Sequence, residues 1–279
     1  MKPLVLCADD FAVNASASRG IAQLARQGRL SATSAMVLAP RWPQDVALLR
    51  ELRGRIDVGL HLDWTSPFAQ AAGHGVPLSR AMGRALLGGF DRTAARTVIE
   101  RQLDAFEAAW QAGPDHVDGH QHVQQFAGIR EPLLEVLARR YPGRPPYLRV
   151  SQVLAGAGER PGLKSWVISV LGANAIKKLA DSAGISRADG LLGVYDFEGD
   201  TARYAALMDG WLAAAPAGGL LMCHPACAAE PDDEIGPARL REHAYLASAD
   251  FARALARAQV RLVRGGTHYT ARHDNSCID

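Results

Sequence analysis

The stretch "PLVLCADDFAVNASASRGIAQLARQG", residues 3 to 28, decides the fold: an apolar run meets two adjacent aspartates and then passes into a helix. Residues 3 to 8 are apolar without interruption, as in a strand buried on both faces. Ile21, Leu24 and Ala25 recur at helical spacing, and Gly28 is placed to end the helix. Between the two lie Asp9 and Asp10. Like charges repel, and desolvating a carboxylate is costly unless a cation or a donor compensates. Taken alone, the pair also reads as ordinary turn chemistry, since Asp bonds its own backbone in loops and caps. The rest of the chain has to decide.

The strand-then-helix unit repeats. "SATSAMVLA" precedes a helix around "PQDVALLRELRG", and "RIDVGLHLD" is the next strand. In "DRTAARTVIERQLDAFEAAWQAG", Val98, Ile99, Leu103, Phe106 and Trp110 share one helix face, with Gly113-Pro114 as the expected stop. "DHVDGHQHV", "YLRVS", "GLLGVYDF", "GGLLMCH" and "QVRLVRG" follow as strands, with helical segments between them. This alternation predicts an α/β fold, a single-domain (β/α) barrel over residues 1–279 with seven or eight mostly parallel strands, incomplete or distorted closure included. Residues 64–90 are rich in glycine, carry Pro67 and Pro77, and are expected to form an insertion or lid.

Composition narrows the function. The 279 residues carry 31 basic and 29 acidic side chains, a balance that speaks against a nucleic-acid or anionic-membrane partner. No run of about 18 apolar residues marks a membrane span. The N-terminus lacks the apolar core and small-residue cleavage site of a signal peptide. Cys7, Cys223, Cys227 and Cys277 are few and scattered, as expected in a reducing, cytoplasmic compartment.

In (β/α) barrels, reactive groups sit at the C-terminal ends of the strands. Here those ends carry Asp9-Asp10, His61 in "VGLHLDW", Asp118, His120 and His122 in "VDGHQHVQ", and His224 in "LLMCHPA". His120 and His122 are two apart, so on an extended strand both point to one face. A lone histidine on an apolar strand is more often a core residue than a ligand. Independent strands ending in the same chemistry weaken that reading, because imidazole and carboxylate are the ligands of Zn²⁺ and related cations. One aspartate of the pair then binds the cation while its neighbour stays a free base.

"CADDF", "GLHL", "DGHQHV" and "CHP", in this order, resemble the YdjC-like carbohydrate deacetylases, the family that includes chitooligosaccharide deacetylase and hopanoid-biosynthesis-associated members. The resemblance continues into "RLREHAYLAS" and favours the hopanoid-associated branch. It implies one divalent metal ion, with Zn, Mg, Ni, Co and Mn not distinguished, held by Asp10, His61 and His120. It implies Asp9 as general base, His224 as general acid, and His122 as a substrate contact or a support for a ligand. Two positions depart from the family pattern: Ala12 stands where relatives usually have glycine, and Gln124 where many have histidine.

The expected reaction is hydrolysis of an N-acetyl group on an N-acetylglucosamine-type saccharide or lipid-linked glycoside. A metal polarises the amide and activates water, Asp9 takes a proton, and His224, near its ordinary pKa of about 6.5, protonates the amine. Asp118 is a candidate for orienting a ligand histidine, with a side chain facing away from the site as the equal alternative. Trp64 is a candidate stacking surface, with core or lid packing as the alternative. Arg149 is a candidate substrate contact, with a surface ion pair as the preferred reading. "EPDDE", residues 230–234, reads as a solvated loop. Expected partners are a saccharide or glycolipid and, as an option, a second copy in a homodimer. Competing readings are another mononuclear-metal hydrolase, such as a phosphoesterase or cyclic amidase, and a non-catalytic sugar- or lipid-binding protein.

Overall fold

Along the first strand, β1 (Lys2–Phe11), side chains alternate between two apolar environments. Leu4, Leu6 and Ala8 join the large cluster beneath the helices. Val5 and Cys7 join a second cluster with Ala32, Tyr147, Leu191, Leu220 and Met222, drawn from strands all round the sheet. That second cluster is the interior of a barrel, and the period of two along an extended chain creates it.

The computed structural model of the chain describes residues 1–156 and 171–276, with side chains described through 270. The remaining strands are β2 (Ala32–Ala35), β3 (Asp57–Leu62), β4 (His116–Gly119), β5 (Tyr147–Leu148), β6 (Leu191–Leu192), β7 (Gly219–Cys223) and β8 (Val260–Leu262). They run parallel in the order β5-β4-β3-β2-β1-β7-β6, with β8 paired to β1. The two edges approach one another through single bridges, Leu148 to Arg187 and Val153 to Leu191. The result is the predicted α/β barrel with incomplete closure. Cys277 lies outside the described residues.

The helices are α1 (Ala15–Arg26), α2 (Trp42–Asp45), α3 (Pro67–Ala71), α4 (Leu78–Leu86), α5 (Arg92–Trp110), α6 (Arg130–Arg140), α7 (Ala173–Ser182), α8 (Thr201–Ala214), α9 (Gly236–Ala247), α10 (Ala249–Arg257) and α11 (Gly265–Ser276). Asn14 caps α1, its side chain accepting from the Ala17 N–H at 2.8 Å, and Gly28 takes φ 68° just past the helix end. The segment after α2 continues as a 3₁₀ turn over Val46–Leu52 rather than as one regular helix. Helix α5 buries the expected face but ends at Gln111, in the left-handed region, before Gly113-Pro114 is reached. Residues 64–90 contain α3 and α4, and no described helix is long and apolar enough to cross a membrane.

One expectation about β4 is corrected. The strand stops at Gly119, and His120–Gln125 form a 3₁₀ turn in which Gln121 (φ 52°) and His122 (φ 63°) are left-handed. His120 and His122 therefore reach the same cavity by a tight turn, not by strand alternation.

Inside the barrel, Gly59 lies against the fully buried ring of His116, and a Cβ at Gly59 would collide with that ring. Gly59→Ala is expected to cost about 1–3 kcal/mol as overpacking. The check is a denaturant titration, where a lower midpoint at unchanged slope is the expected outcome and an unchanged midpoint would contradict a filled interior.

Candidate functional site

The interior rows that begin apolar at the bottom of the barrel turn polar toward its C-terminal end. On β1 the row Val5-Cys7 continues to Asp9, on β3 Gly59 leads to His61, and on β4 His116 leads to Asp118. Asp10 would alternate outward, but its φ of 63° swings it back, so two adjacent carboxylates face one space. This answers the question posed by "CADDF". Non-glycine residues with positive φ cost of order 1–3 kcal/mol and gather where the surroundings hold them. Asp10, Ala12, Gln121 and His122 all do so here. At Ala12 the backbone takes the conformation glycine favours, and its N–H is held by Ser18 Oγ at 3.1 Å.

Asp9 is gripped by Arg149, whose Nη1 donates to Oδ2 at 2.6 Å and Nη2 to Oδ1 at 2.5 Å. Arg149 Nη2 also lies 2.5 Å from Asp118 Oδ2, and the arginine has no exposure to solvent. A surface ion pair is thus the wrong reading of Arg149: it is a buried brace between two carboxylates. Burial opposes charge on Asp9 and Asp118, but Arg149 together with neighbouring histidines outweighs it and holds both below the usual carboxylate range.

Asp118 Oδ1 accepts from His61 Nδ1 at 2.6 Å, which leaves His61 Nε2 facing Asp10 Oδ1 at 3.4 Å. His120 Nδ1 lies 3.2 Å from the same Asp10 oxygen. The other oxygen, Asp10 Oδ2, accepts from Arg239 Nη2 at 2.7 Å. Three buried aspartates against two buried guanidiniums leave one negative charge over. Burial works against a proton on His61, yet Asp118 and Asp10 overcome it and raise this pKa to about 10.

A divalent cation fits in place of that proton. Bonds of about 2.1 Å meeting at tetrahedral or octahedral angles set ligand atoms roughly 3.0–3.4 Å apart, which the two Asp10 Oδ1 distances match. Asp10, His61 and His120 form a two-histidine, one-carboxylate set, with His120 partly exposed to the cavity. Asp118 holds the His61 ring in the tautomer that leaves Nε2 free.

His224 follows β7, with Nε2 3.9 Å from Asp9 Oδ2 and its ring edge-on to Phe197. Burial pushes its pKa down to about 4, against the pull of Asp9 and Asp10, so the resting ring is neutral rather than near 6.5. Its backbone N–H donates to Glu242 Oε2 at 2.5 Å, and Tyr195 Oη donates to Oε1 at 2.8 Å. His122 Nδ1 meets Ser151 Oγ at 2.9 Å, and Gln124 lies behind it, away from the cavity wall.

A cavity of about 1340 Å³ opens over these groups. Trp64 is not among its lining residues; it is buried and packs against His74 and Phe90, so packing, not sugar stacking, is its observed place. Phe68, Leu78, Met82 and Phe126 make an apolar wall. The acidic run is not simply solvated: Glu230 accepts from Ser16 Oγ at 2.5 Å, and Asp233 pairs with Arg239 at 2.7 Å and Asn14 at 3.0 Å.

Sequence reading missed Ser34, Arg239 and Glu242. Ser34 Oγ sits 3.1 Å from His61 Nδ1 and 3.4 Å from Asp9 Oδ1. Arg239 and Glu242 carried a usable signal, because they lie on the stripe of α9 that also buries Ala238, Tyr245 and Leu246. A charge on a buried stripe needs a partner.

Burial raises the Glu242 pKa to about 7, above the ordinary 4.5. Below pH 4.5 both folded and unfolded chains hold this proton. As pH rises from 4.5 to 7 only the unfolded chain releases it, so stability is lost through this window. Glu242→Gln keeps an acceptor for the His224 N–H and should flatten the loss, which amounts to up to about 3 kcal/mol. Denaturant titrations at pH 4.5 and 7.5 check this; parallel behaviour of the two proteins would contradict it.

The comparisons with known proteins bear on the fold and the family. A structure from Enterococcus faecalis V583, described as a candidate cellobiose-phosphate cleavage protein, superposes with a TM-score of 0.71 at 20% identity, covering 96% of this chain and 99% of that one. The Xyl-CE4 domain of a multidomain xylanase from the hindgut metagenome of Trinervitermes trinervoides gives 0.51 at 10% identity, over 94% and 87% of the two chains. Both support the fold. Chitooligosaccharide deacetylases from Enterobacter sp. (strain 638) and Proteus mirabilis (strain HI4320) are each 29% identical, over 144 and 131 residues. These stretches cover 50% and 45% of this chain and 57% and 51% of the relatives, so the match spans about half the length of each. The model of the YdjC-like protein family, by contrast, matches residues 3–257, nearly the whole chain, and the chain belongs to that family.

Proposed function

We propose that the chain is a carbohydrate N-deacetylase, hydrolysing the acetamide of an N-acetylated amino sugar to acetate and a free amine. The observation that carries the reading is the convergence of Asp10, His61 and His120 beside Asp9 and His224 at one end of the barrel. Relatives named chitooligosaccharide deacetylase supply the substrate class. Asp10 Oδ1, His61 Nε2 and His120 Nδ1 are the atoms that would hold the divalent cation. When bound, that cation supplies Lewis-acid polarisation of the amide and a more acidic water.

The remaining work falls to the chain's own groups. Asp9 accepts a proton from the water that attacks the amide carbon, and Arg149 keeps it ionised and fixed in direction. His224 is neutral at rest, so the proton it gives the departing nitrogen is one acquired within the turnover. Asp9 Oδ2, 3.9 Å from its Nε2, is the nearest source. Glu242 holds the His224 backbone in place.

The cavity exceeds the roughly 300–1,000 Å³ typical of drug-sized ligands, which leaves room for more than one sugar unit. The apolar wall of Phe68, Leu78, Met82 and Phe126 favours a second reading, a lipid-linked glycoside with residues 64–90 acting as lid. Hopanoid metabolism is one setting for such a substrate.

Wild type, Asp9→Asn and His120→Ala, assayed for acetate release and for bound metal, test the reading. Both variants should lose at least about 100-fold in turnover. Metal should remain in Asp9→Asn and leave His120→Ala. Retention of metal by His120→Ala would move the cation elsewhere, and turnover by Asp9→Asn at the wild-type rate would remove Asp9 as base. Saccharide binding without metal or acetate release would return the chain to a binding protein.

A further inference from the structure

The hydrogen bonds behind His122 fix where its proton sits. Gln124 Nε2 donates to the Arg149 carbonyl at 3.1 Å, and a carbonyl can only accept, so the amide nitrogen must face it. The same nitrogen has a second hydrogen, which points to Ser151 Oγ at 3.1 Å. Ser151 has no exposure to solvent, and among the described residues its hydroxyl meets only Gln124 and His122 Nδ1. The Gln124 contact uses the hydroxyl as acceptor. Its own hydrogen therefore goes to His122 Nδ1, at 2.9 Å.

Any other arrangement strands a buried donor. If His122 carried its proton on Nδ1, or on both nitrogens, the Ser151 hydrogen would have no acceptor among the described residues, leaving a buried donor unpaired. The ring is thus the tautomer with hydrogen on Nε2. Among the described residues His122 is hydrogen-bonded through Nδ1 alone, and it lines the cavity over the site.

We infer that His122 is a fixed hydrogen-bond donor to an oxygen of the bound substrate, aimed by Gln124 and Ser151. This rests on the deacetylase reading above. An acetamido sugar offers hydroxyl, ring and carbonyl oxygens as acceptors, while its amide nitrogen has no lone pair free. Gln124 is suited to start the chain because one amide nitrogen serves both the Arg149 carbonyl and Ser151, which a single imidazole N–H cannot do.

The test uses ¹⁵N-histidine-labelled, Zn²⁺-loaded protein and long-range ¹H–¹⁵N correlation, with His122→Ala identifying the resonance. The expected spectrum shows hydrogen on Nε2 only, and Ser151→Ala should mix the tautomers. Hydrogen on Nδ1 in the wild type would overturn the inference without touching the deacetylase reading. With di-N-acetylchitobiose, His122→Ala should lose about 10- to 100-fold in kcat/KM at unchanged metal content, and His122→Gln should recover part of it. Unchanged turnover in His122→Ala would overturn the substrate contact. If wild type releases no acetate, a shift of the Nε2 resonance on saccharide addition supports the contact, and its absence overturns it.

Discussion

A guanidinium sealed from water inside a barrel can exist only where carboxylates meet it, and Arg149 meets two. Removing one partner of such a group leaves an uncompensated buried charge, which costs far more than an exposed ion pair contributes. The arginine follows β5, while its partners sit on β1 and β4. In the sheet β1 and β5 are separated by three strands, so the contact crosses the barrel interior instead of running along the hydrogen-bonded ladder. Asp118 in turn aims His61, and Asp9 faces His224, so the geometry of the whole polar end is referred to this one cation.

Arg239 plays a matching part at the rim. It joins Asp10 to Asp233, and Asp233 also accepts from Asn14, the residue that caps α1. The two aspartates at the end of β1 are therefore each held by a separate arginine, one from inside the barrel and one from the helix after β7. Neighbouring negative charges are tolerated because each has its own counter-ion.

Much of this was legible along the chain. The six-residue apolar run before Asp9 marks a buried strand, and His61 and Asp118 stand out because they lie toward the ends of such strands. His224 was found because it stands directly after an apolar strand. What escaped reading depends on contacts distant in sequence or on single torsions. Arg149 looked like a surface residue because its partner Asp9 lies 140 positions away. The turn that brings His120 and His122 into the cavity depends on left-handed Gln121 and His122, residue types that carry no glycine-like signal. Strands β5 and β6 do fall in "YLRVS" and "GLLGVYDF", where strands are expected, but each spans only two residues. The glycolipid reading rests on "MGRALLGGF", residues 82–90, of which Met82 lines the cavity while Leu86 and Leu87 are exposed.

Asp9 and Asp10 share a peptide bond, and that has a bearing on how the site responds to motion. Groups brought together by tertiary packing drift apart when strands breathe or helices shift. The backbone spacing of these two residues is instead set by covalent geometry and one left-handed torsion, and Arg149 and Arg239 then fix the carboxylates. Thermal loosening of the barrel wall would displace His61, His120 and His224 relative to one another before it changed the spacing of the pair. The strand end thus acts as the datum from which the rest of the site is measured.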